Sequence, residues 1–263
     1  MSADRTGRTG ATEDAAGAVG FGDVFAAELA KIRTLPVTWV ALAVASAANA
    51  LLGVLAATDA VRIAGQDGQI AVGRLGTLVV SPVYVFVAIA VHAAGGEYRA
   101  GQLRVTLAAV PDRNRLFTAK LAATAATGLL AAIPAVLPGH LVGHAPAITG
   151  GHLGIGAAAV GLAAVLGAYL LLSLIGHGFA VIARGVVTPL AVLLVTPVLI
   201  SPALRGALPD LVRFLPHEAT LSLLDTAGDP GAALGRAGGL LVLTAWAGLS
   251  VGGAWLVFAR RDV

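Results

Sequence analysis

Long stretches without any charged residue are the dominant feature of this sequence. The longest, 121–183, holds 63 residues and contains no Asp, Glu, Lys or Arg. Charged residues make up 12% of the chain, whereas about a quarter of the residues in a typical soluble domain are charged. An apolar segment in lipid must satisfy its backbone hydrogen bonds internally, which a helix does. The sequence therefore predicts an all-α integral membrane protein.

Six apolar stretches are long enough to cross a membrane, because one crossing takes about 20 residues. The 63-residue stretch divides into two crossings at Pro146, Gly150 and Gly151, which interrupt the apolar run. The predicted transmembrane helices are 38–58, 75–94, 121–141, 153–175, 185–204 and 237–259. They belong to a single domain, 21–263, and we expect the polar segment 1–20 to be a disordered cytoplasmic tail.

The segment between the second and third spans, 95–120, is highly charged. Seven of its 26 residues carry a charge, while the stretches on both sides carry almost none. A short helix is predicted here, ended by Pro111. Its apolar face, which would rest on the bilayer or the helix bundle, consists of Leu103, Leu107 and Val110. Its opposite face, which would be open to a soluble partner, consists of Glu97, Gly101, Arg104 and Ala108.

A series of short motifs in this segment resembles the permeases of type-2 ATP-binding-cassette (ABC) exporters. The motifs are Gly-Glu-Tyr-Arg at 96–99, then Gly101, Leu103-Arg104 and Val110-Pro111, with basic residues and Lys120 following. The resemblance covers most of the chain, from Phe21 to the arginines and aspartate near its end.

The resemblance implies a role for the 95–120 loop, because in that family it carries a coupling helix that docks on a separate ATPase subunit. The implied coupling residues are Glu97, Tyr98, Arg99, Gly101, Gln102 and Arg104. The resemblance also implies a homodimer, or a heterodimer with a related permease, in the plasma membrane. ATP and Mg would be bound by the partner ATPase and not by this chain.

Gly101 bears on whether the polar face is a docking surface. A glycine inside a helix costs about 1 kcal/mol relative to alanine, and close approach of a partner's backbone would offset that cost. The alternative is a basic loop held near anionic lipid headgroups, which would use Arg99, Arg104 and Arg113 but would not need a glycine.

The segment 21–35 is predicted to be an amphipathic helix lying along the inner membrane surface. Its polar residues near the membrane are Glu28, Lys31 and Arg33. Glu28 falls on the apolar side of the helix, so its carboxylate either needs a cationic partner besides Lys31 and Arg33 or reaches out to water.

Basic residues predict the orientation of the six spans. Of the 17 Lys and Arg residues, 12 lie in the two terminal regions, the 95–120 loop and the turn at Arg184. The positive-inside rule then places both termini in the cytoplasm. The loop 201–236 lies outside, and its prolines and apolar residues predict a re-entrant structure in which Leu211, Phe214 and Leu215 are shielded by lipid or protein.

Several local motifs match the patterns of catalytic or binding sites, but each has a simpler explanation. Gly248 and Gly252 match the spacing of a nucleophile elbow, but a small-residue packing face between membrane helices explains them better. A metal site formed by His140, His144 and His152 is a minor alternative, and we expect no bound metal. The scattered basic residues also give no sign of nucleic-acid binding.

The source of energy separates the possible functions. No phosphate-binding loop of the form G-x-x-x-x-G-K-[ST] occurs, so we do not expect the chain to be an enzyme. The predicted spans contain no charged residue of the kind that couples ions in secondary transporters, which favours an ATPase partner. Two alternatives stay open: an ion-coupled or passive transporter, and a non-transporting membrane anchor or regulatory subunit.

Overall fold

The fold is almost entirely helical. The computed structural model describes residues 19–65, 68–71, 76–99, 101–226 and 233–260. The α-helices, numbered in chain order, are α1 Phe21–Thr34, α2 Pro36–Thr58, α3 Gly76–Gly95, α4 Gln102–Ala109, α5 Arg113–Leu130, α6 Ala132–Thr149, α7 Ile155–Ala183, α8 Val187–Val195, α9 Ser201–Arg205, α10 Pro209–Val212, α11 Pro216–Leu223 and α12 Gly235–Arg260. A hairpin of two antiparallel strands, β1 Arg62–Gly65 and β2 Gly68–Ala71, follows α2.

Six helical segments in the described part of the chain are long and apolar enough to cross a membrane. They are Pro36–Thr58, Gly76–Tyr98, Arg113–Thr149, Ile155–Ala183, Val187–Arg205 and Gly235–Arg260. This confirms the predicted class, an all-α membrane protein with six transmembrane helices, preceded by the separate N-terminal helix α1. The tail proposed for 1–20 lies almost wholly outside the described residues.

The third span is longer than the sequence predicts. The predicted crossing was 121–141, but the helical segment begins at Arg113 and continues to Thr149 with one irregular residue at Ala131. Asp112 caps this segment, because its side chain accepts a hydrogen bond from the Arg115 backbone N–H at 3.0 Å. The predicted 95–120 loop therefore ends at Asp112, and the remaining polar residues form the first turns of a helix.

Glycines allow several helices to approach each other closely. α2 packs along α6, where a Cβ at Gly53 would overlap the carbonyl of Gly139. α12 packs along α7, where a Cβ at Gly178 would overlap the backbone of Ser250. These contacts hold the bundle together through backbone proximity, in the way small residues do in membrane proteins.

Gly248 and Gly252 do not take part in this packing. Both lie on the exposed side of α12, and a Cβ at either would meet no described atom within 4 Å. The predicted packing face is therefore not used between helices of this chain. Packing of this face against other membrane helices stays a prediction.

The predicted outer loop, 201–236, contains the three short helices α9, α10 and α11 in its described part. Leu211 and Phe214 are exposed on the surface of the chain, and Leu215 is half-buried. The Phe214 carbonyl accepts a hydrogen bond from the Trp246 indole N–H at 2.8 Å, which attaches this loop to α12. Shielding of Leu211 and Phe214 would have to come from lipid or another subunit, and it stays a prediction.

Candidate functional site

Four charged side chains meet at one end of the bundle and form what we call the charge cluster: Glu28, Lys31, Glu97 and Lys120. The Lys120 Nζ lies 2.6 Å from a carboxylate oxygen of Glu28 and also donates to Glu97. The Lys31 Nζ lies 2.9 Å from the other oxygen of Glu28 and also contacts Glu97. Two carboxylates therefore share two ammonium groups.

Three members of the charge cluster are buried, with Glu28 7%, Glu97 5% and Lys120 5% exposed, and the fourth, Lys31, is half-buried. Buried charges are tolerated only when each is paired, because removing them from water costs several kcal/mol per ion. The equal numbers of acids and bases satisfy that condition. Removal of one member would leave one charge of the opposite sign in excess in this buried site.

Three separate parts of the chain supply the charge cluster. Glu28 lies at the centre of the buried face of α1, between Val24 and Ile32. Glu97 belongs to a single 3₁₀ turn that directly follows α3, and Lys120 lies in the third span. The cluster thus joins the interfacial helix to the adjacent ends of the second and third predicted crossings.

Attraction within the charge cluster outweighs the cost of burial at its interfacial members. Burial raises the pKa of Glu28, but Lys120 and Lys31 together hold that pKa below its ordinary value. Burial lowers the pKa of Lys31, but Glu97 and Glu28 together hold it above its ordinary value. Glu28 and Lys31 are therefore both charged at neutral pH.

Glu97 differs from its predicted role. The sequence placed it on the outward face of a helix with Arg104, ready to bind a partner. In the structure the helix begins only at Gln102, and Glu97 is buried in the charge cluster. Its carboxylate is used within the chain, so it is not part of an exposed docking face.

Gly101 also differs from its prediction. It lies outside the helix as the residue that caps the N-terminus of α4, with a left-handed φ of 71°. Glycine is needed here because other L-residues adopt this conformation at a cost. The close approach of a partner's backbone is therefore not required to explain this glycine.

The rest of the short helix α4 matches the predicted amphipathic pattern. Leu103 is buried and Leu107 half-buried, which holds the helix against the bundle. On the other side Gln102, Arg104 and Val105 are exposed, Val105 to 73%.

Of the other predicted coupling residues, Arg99 is exposed and Tyr98 is half-buried. We call the exposed residues Arg99, Gln102, Arg104 and Val105 the surface patch.

The predicted interfacial residues of α1 lie in different environments. Glu28 lies on the apolar side of α1, as predicted, and it is paired and buried without reaching water. The missing partner was Lys120, which is distant in sequence and which the predicted boundaries placed in a loop. Arg33 is exposed and not part of the charge cluster.

A cavity of about 940 Å³ lies at the opposite end of the bundle, among α2, α3, α6, α7 and α11. The first turns of α3 line it, whereas Glu97 follows the last turn of the same helix. Most of its wall is apolar. Its polar side chains within the bundle include Asn49, His140, His144 and Tyr169.

The histidines of the minor metal alternative do not form a metal site. His140 and His144 stack with ring centroids 4.0 Å apart, while His152 is exposed. Within the described ranges, no group of three or more His, Cys, Asp or Glu side chains could hold a metal ion.

Comparison with known proteins adds no identification. The chain matches no protein-family model, and no curated protein matches its sequence. The charge cluster, the surface patch and the cavity are the features of this chain that bear on its function.

Proposed function

We propose that this chain is the permease subunit of an ATP-driven exporter of the ABC type, and that a separate ATPase subunit docks on the surface patch. The proposal places the protein in the plasma membrane with both termini in the cytoplasm. The resemblance of the 96–104 motifs supplies the type of partner. Six apolar helices and the lack of a phosphate-binding loop in the sequence are compatible with it.

The observation that carries the proposal is the way α4 is attached to the bundle. Leu103 anchors the helix, and the 3₁₀ turn just before it holds Glu97 in the charge cluster. A force applied to the exposed side of α4 would therefore act on the ends of the second and third spans. A coupling element needs this combination of an exposed face and a stiff connection to the spans.

The surface patch has the composition of a protein-binding site. Arg104 offers a cation for charge-assisted hydrogen bonds to a carboxylate, and Val105 beside it exposes apolar surface. Arginine is one of the residue types enriched where binding energy is concentrated. A lipid headgroup would also bind the arginines, but it would gain little binding energy from the exposed apolar side chain of Val105.

Co-purification of the tagged chain from its native membrane tests the proposal. In mild detergent, we expect an ATPase subunit with a phosphate-binding loop to be recovered and identified by mass spectrometry. Arg104→Glu should reduce its recovery by about tenfold or more if this arginine is a central contact. Arg62→Glu is the matched control, because Arg62 is an exposed arginine of the hairpin, away from the surface patch.

Two results would contradict the proposal. One is recovery of the chain in quantity without any ATPase. The other is equal recovery of the ATPase with wild type, Arg104→Glu and Arg62→Glu, which would remove the surface patch as the docking site.

One observation favours a second candidate, an ion-coupled transporter. Lys120 is a buried charged residue within a helix predicted to cross the membrane, which the sequence-derived boundaries did not show. Buried ionisable groups in spans often mark ion or proton pathways. The full pairing of Lys120 with Glu28 and Glu97 argues for a structural role.

Transport into inverted vesicles separates the two candidates. An exporter of the proposed type needs ATP and continues when a protonophore dissipates the proton gradient. An ion-coupled transporter stops with the protonophore and does not need ATP.

A further inference from the structure

The cavity contains a pair of histidines whose hydrogen bonds fix their tautomers. His140 donates from Nε2 to the Ala158 carbonyl at 3.0 Å, and His144 donates from Nδ1 to the His140 carbonyl at 2.8 Å. A carbonyl can only accept, so these nitrogens carry the protons. The opposite nitrogen of each neutral ring, Nδ1 of His140 and Nε2 of His144, then keeps a lone pair with no donor among the described residues.

Stacking of the two rings disfavours a positive charge on both at once. Their centroids are 4.0 Å apart, so two imidazolium ions in this stack would repel each other. Neither ring pairs with a carboxylate in the described part of the chain. In its neutral form, each ring of the histidine pair therefore offers a hydrogen-bond acceptor to a molecule in the cavity.

A second polar pair complements the histidines. Asn49 donates from its side-chain amide to the Tyr169 hydroxyl oxygen at 2.7 Å and to the Ala45 carbonyl at 2.8 Å. Tyr169 is only 3% exposed, and its own hydroxyl proton has no acceptor in the described ranges. This side of the cavity thus provides one donor, the Tyr169 hydroxyl, and one acceptor, the Asn49 side-chain carbonyl.

The charged residues of the cavity lining are already paired. Arg205 lies 2.7 Å from Glu218, and Arg236 lies 3.7 Å from Asp225. An ionic ligand would have to enter a mostly apolar space without an unpaired counter-ion, which is unfavourable. An uncharged ligand meets no such penalty.

We propose that the cavity within a single chain binds an uncharged amphipathic molecule, whose apolar body fills the space between α2, α6 and α7 and whose hydroxyl or N–H groups donate to His140, His144 or Asn49. The Tyr169 hydroxyl would donate to an oxygen of the same molecule. The inference rests on the proposed function only in making this ligand the transported substrate, since binding itself needs no ATPase.

Two probes with the same apolar body test the recognition of the donor. 2-Naphthol carries a hydroxyl donor, and 2-methoxynaphthalene is its methyl ether without one. Binding of each to the full chain in phosphatidylcholine nanodiscs is measured by titration calorimetry, with empty nanodiscs subtracted. We expect 2-naphthol to bind about threefold to tenfold more tightly, the factor that one net hydrogen bond provides.

Variants of the cavity locate the binding. His144→Phe keeps an aromatic ring but removes the acceptor, and Tyr169→Phe removes only the hydroxyl. His144→Phe should reduce the preference for 2-naphthol towards equality, while 2-methoxynaphthalene binding stays within about twofold. Tyr169→Phe removes a donor that the oxygen of either probe can use, so it should weaken both probes by a similar factor of about threefold to tenfold and leave the preference unchanged. Ala164→Phe adds bulk to the wall between the helices and should abolish binding of both probes.

Specific outcomes overturn the inference. Equal affinity of the wild type for both probes would exclude recognition of a donor. Undetectable binding of 2-naphthol, including the case in which nanodisc lipid fills the cavity, would exclude the proposed ligand class. Unchanged binding in a folded Ala164→Phe would place the probes elsewhere. If variants fail to fold, the two-probe comparison on the wild type still decides.

The test also separates this inference from the proposed function. The nanodiscs contain no ATPase, so failure of 2-naphthol to bind leaves co-purification of an ATPase unaffected. Conversely, 2-naphthol binding by a chain that recovers no ATPase would support the cavity and contradict the exporter.

Discussion

Lys120 lies 2.6 Å from Glu28 and connects the third transmembrane helix to the interfacial helix α1. Both side chains are nearly inaccessible to solvent, so this ion pair is formed in a low-dielectric environment. The same ammonium group also donates to Glu97 at the end of the second span. The interfacial helix is thereby fixed to two crossings through one lysine.

Lys120→Met should strongly destabilise the protein, because it leaves Glu28 and Glu97 with only Lys31 as a cationic partner. Breaking a buried ion pair from one side costs about 3–5 kcal/mol. Unfolding in mixed micelles measures this loss. Arg104→Met, at an exposed position, is the matched control and should change the free energy of unfolding by less than about 0.5 kcal/mol.

A second substitution tests whether unpaired charge causes that loss. Lys120→Met combined with Glu97→Gln removes one charge of each sign and should recover part of the lost stability. If the double variant is less stable than Lys120→Met by the full cost of Glu97→Gln alone, the two residues are not energetically coupled.

Gly101→Ala should destabilise the start of α4 by about 1 kcal/mol, because alanine is strained at a φ of 71°. Gly96→Ala is the control, since Gly96 is an open position without positive φ. Both variants have free space around the added methyl group, so only backbone conformation separates them. Hydrogen exchange of the α4 amides should increase in Gly101→Ala alone. Equal exchange in the two variants would contradict the conformational explanation.

Because His217 is buried, the protein should become less stable in mild acid. Burial lowers the pKa of His217 to about 4, with Glu218 opposing this and Arg205 adding to it. The unfolded chain therefore binds a proton near pH 6.5 while the folded protein does not. The contribution of neutral, buried His217 to the free energy of unfolding is complete above about pH 6.5. It falls as the pH approaches 4, by up to about 3 kcal/mol.

His217→Gln tests this dependence while retaining a hydrogen-bonding group for the Tyr84 hydroxyl, which lies 2.9 Å from His217 Nδ1. The free energy of unfolding, measured from pH 7 to pH 4, should decline less in the variant than in the wild type. Parallel pH curves for the two proteins would assign the titration to other groups.

Single cysteines test the orientation predicted from the basic residues. The sequence contains no cysteine, so an introduced one is the only thiol to be labelled. Gln102 and His152 are exposed near opposite ends of the bundle. A membrane-impermeant maleimide applied to intact cells should label His152→Cys, and should label Gln102→Cys only after permeabilisation. The reverse pattern would place the surface patch outside the cell and exclude docking of a cytoplasmic ATPase.

The fold could be predicted from the sequence further than the site could. Spacing of uncharged stretches reveals the number of spans, because lipid imposes the same length and polarity on each of them. It does not reveal where a helix begins when polar residues occupy its first turns, as they do between Arg113 and Lys120. Such residues look like a loop until a cap such as Asp112 is considered.

The charge cluster was hidden for a related reason. The position of Glu28 on an apolar face showed that a cationic partner was needed. That partner, Lys120, lies 92 positions away and is determined by packing between distant segments. Gly101 was misassigned because a glycine before a short helix and a glycine within it differ only in the helix boundary. Local pattern therefore identified the important residues without identifying their contacts.

The continuous helical segment Arg113–Thr149 connects the charge cluster to the cavity. Lys120 near one end belongs to the charge cluster, and His140 about 30 Å further along, at 1.5 Å per residue, lines the cavity. If this segment rotates as a rigid unit about Ala131, its two ends move in opposite directions. A pull on α1 or α4 could thus widen or narrow a space on the far side of the membrane without any intermediate relay of side chains.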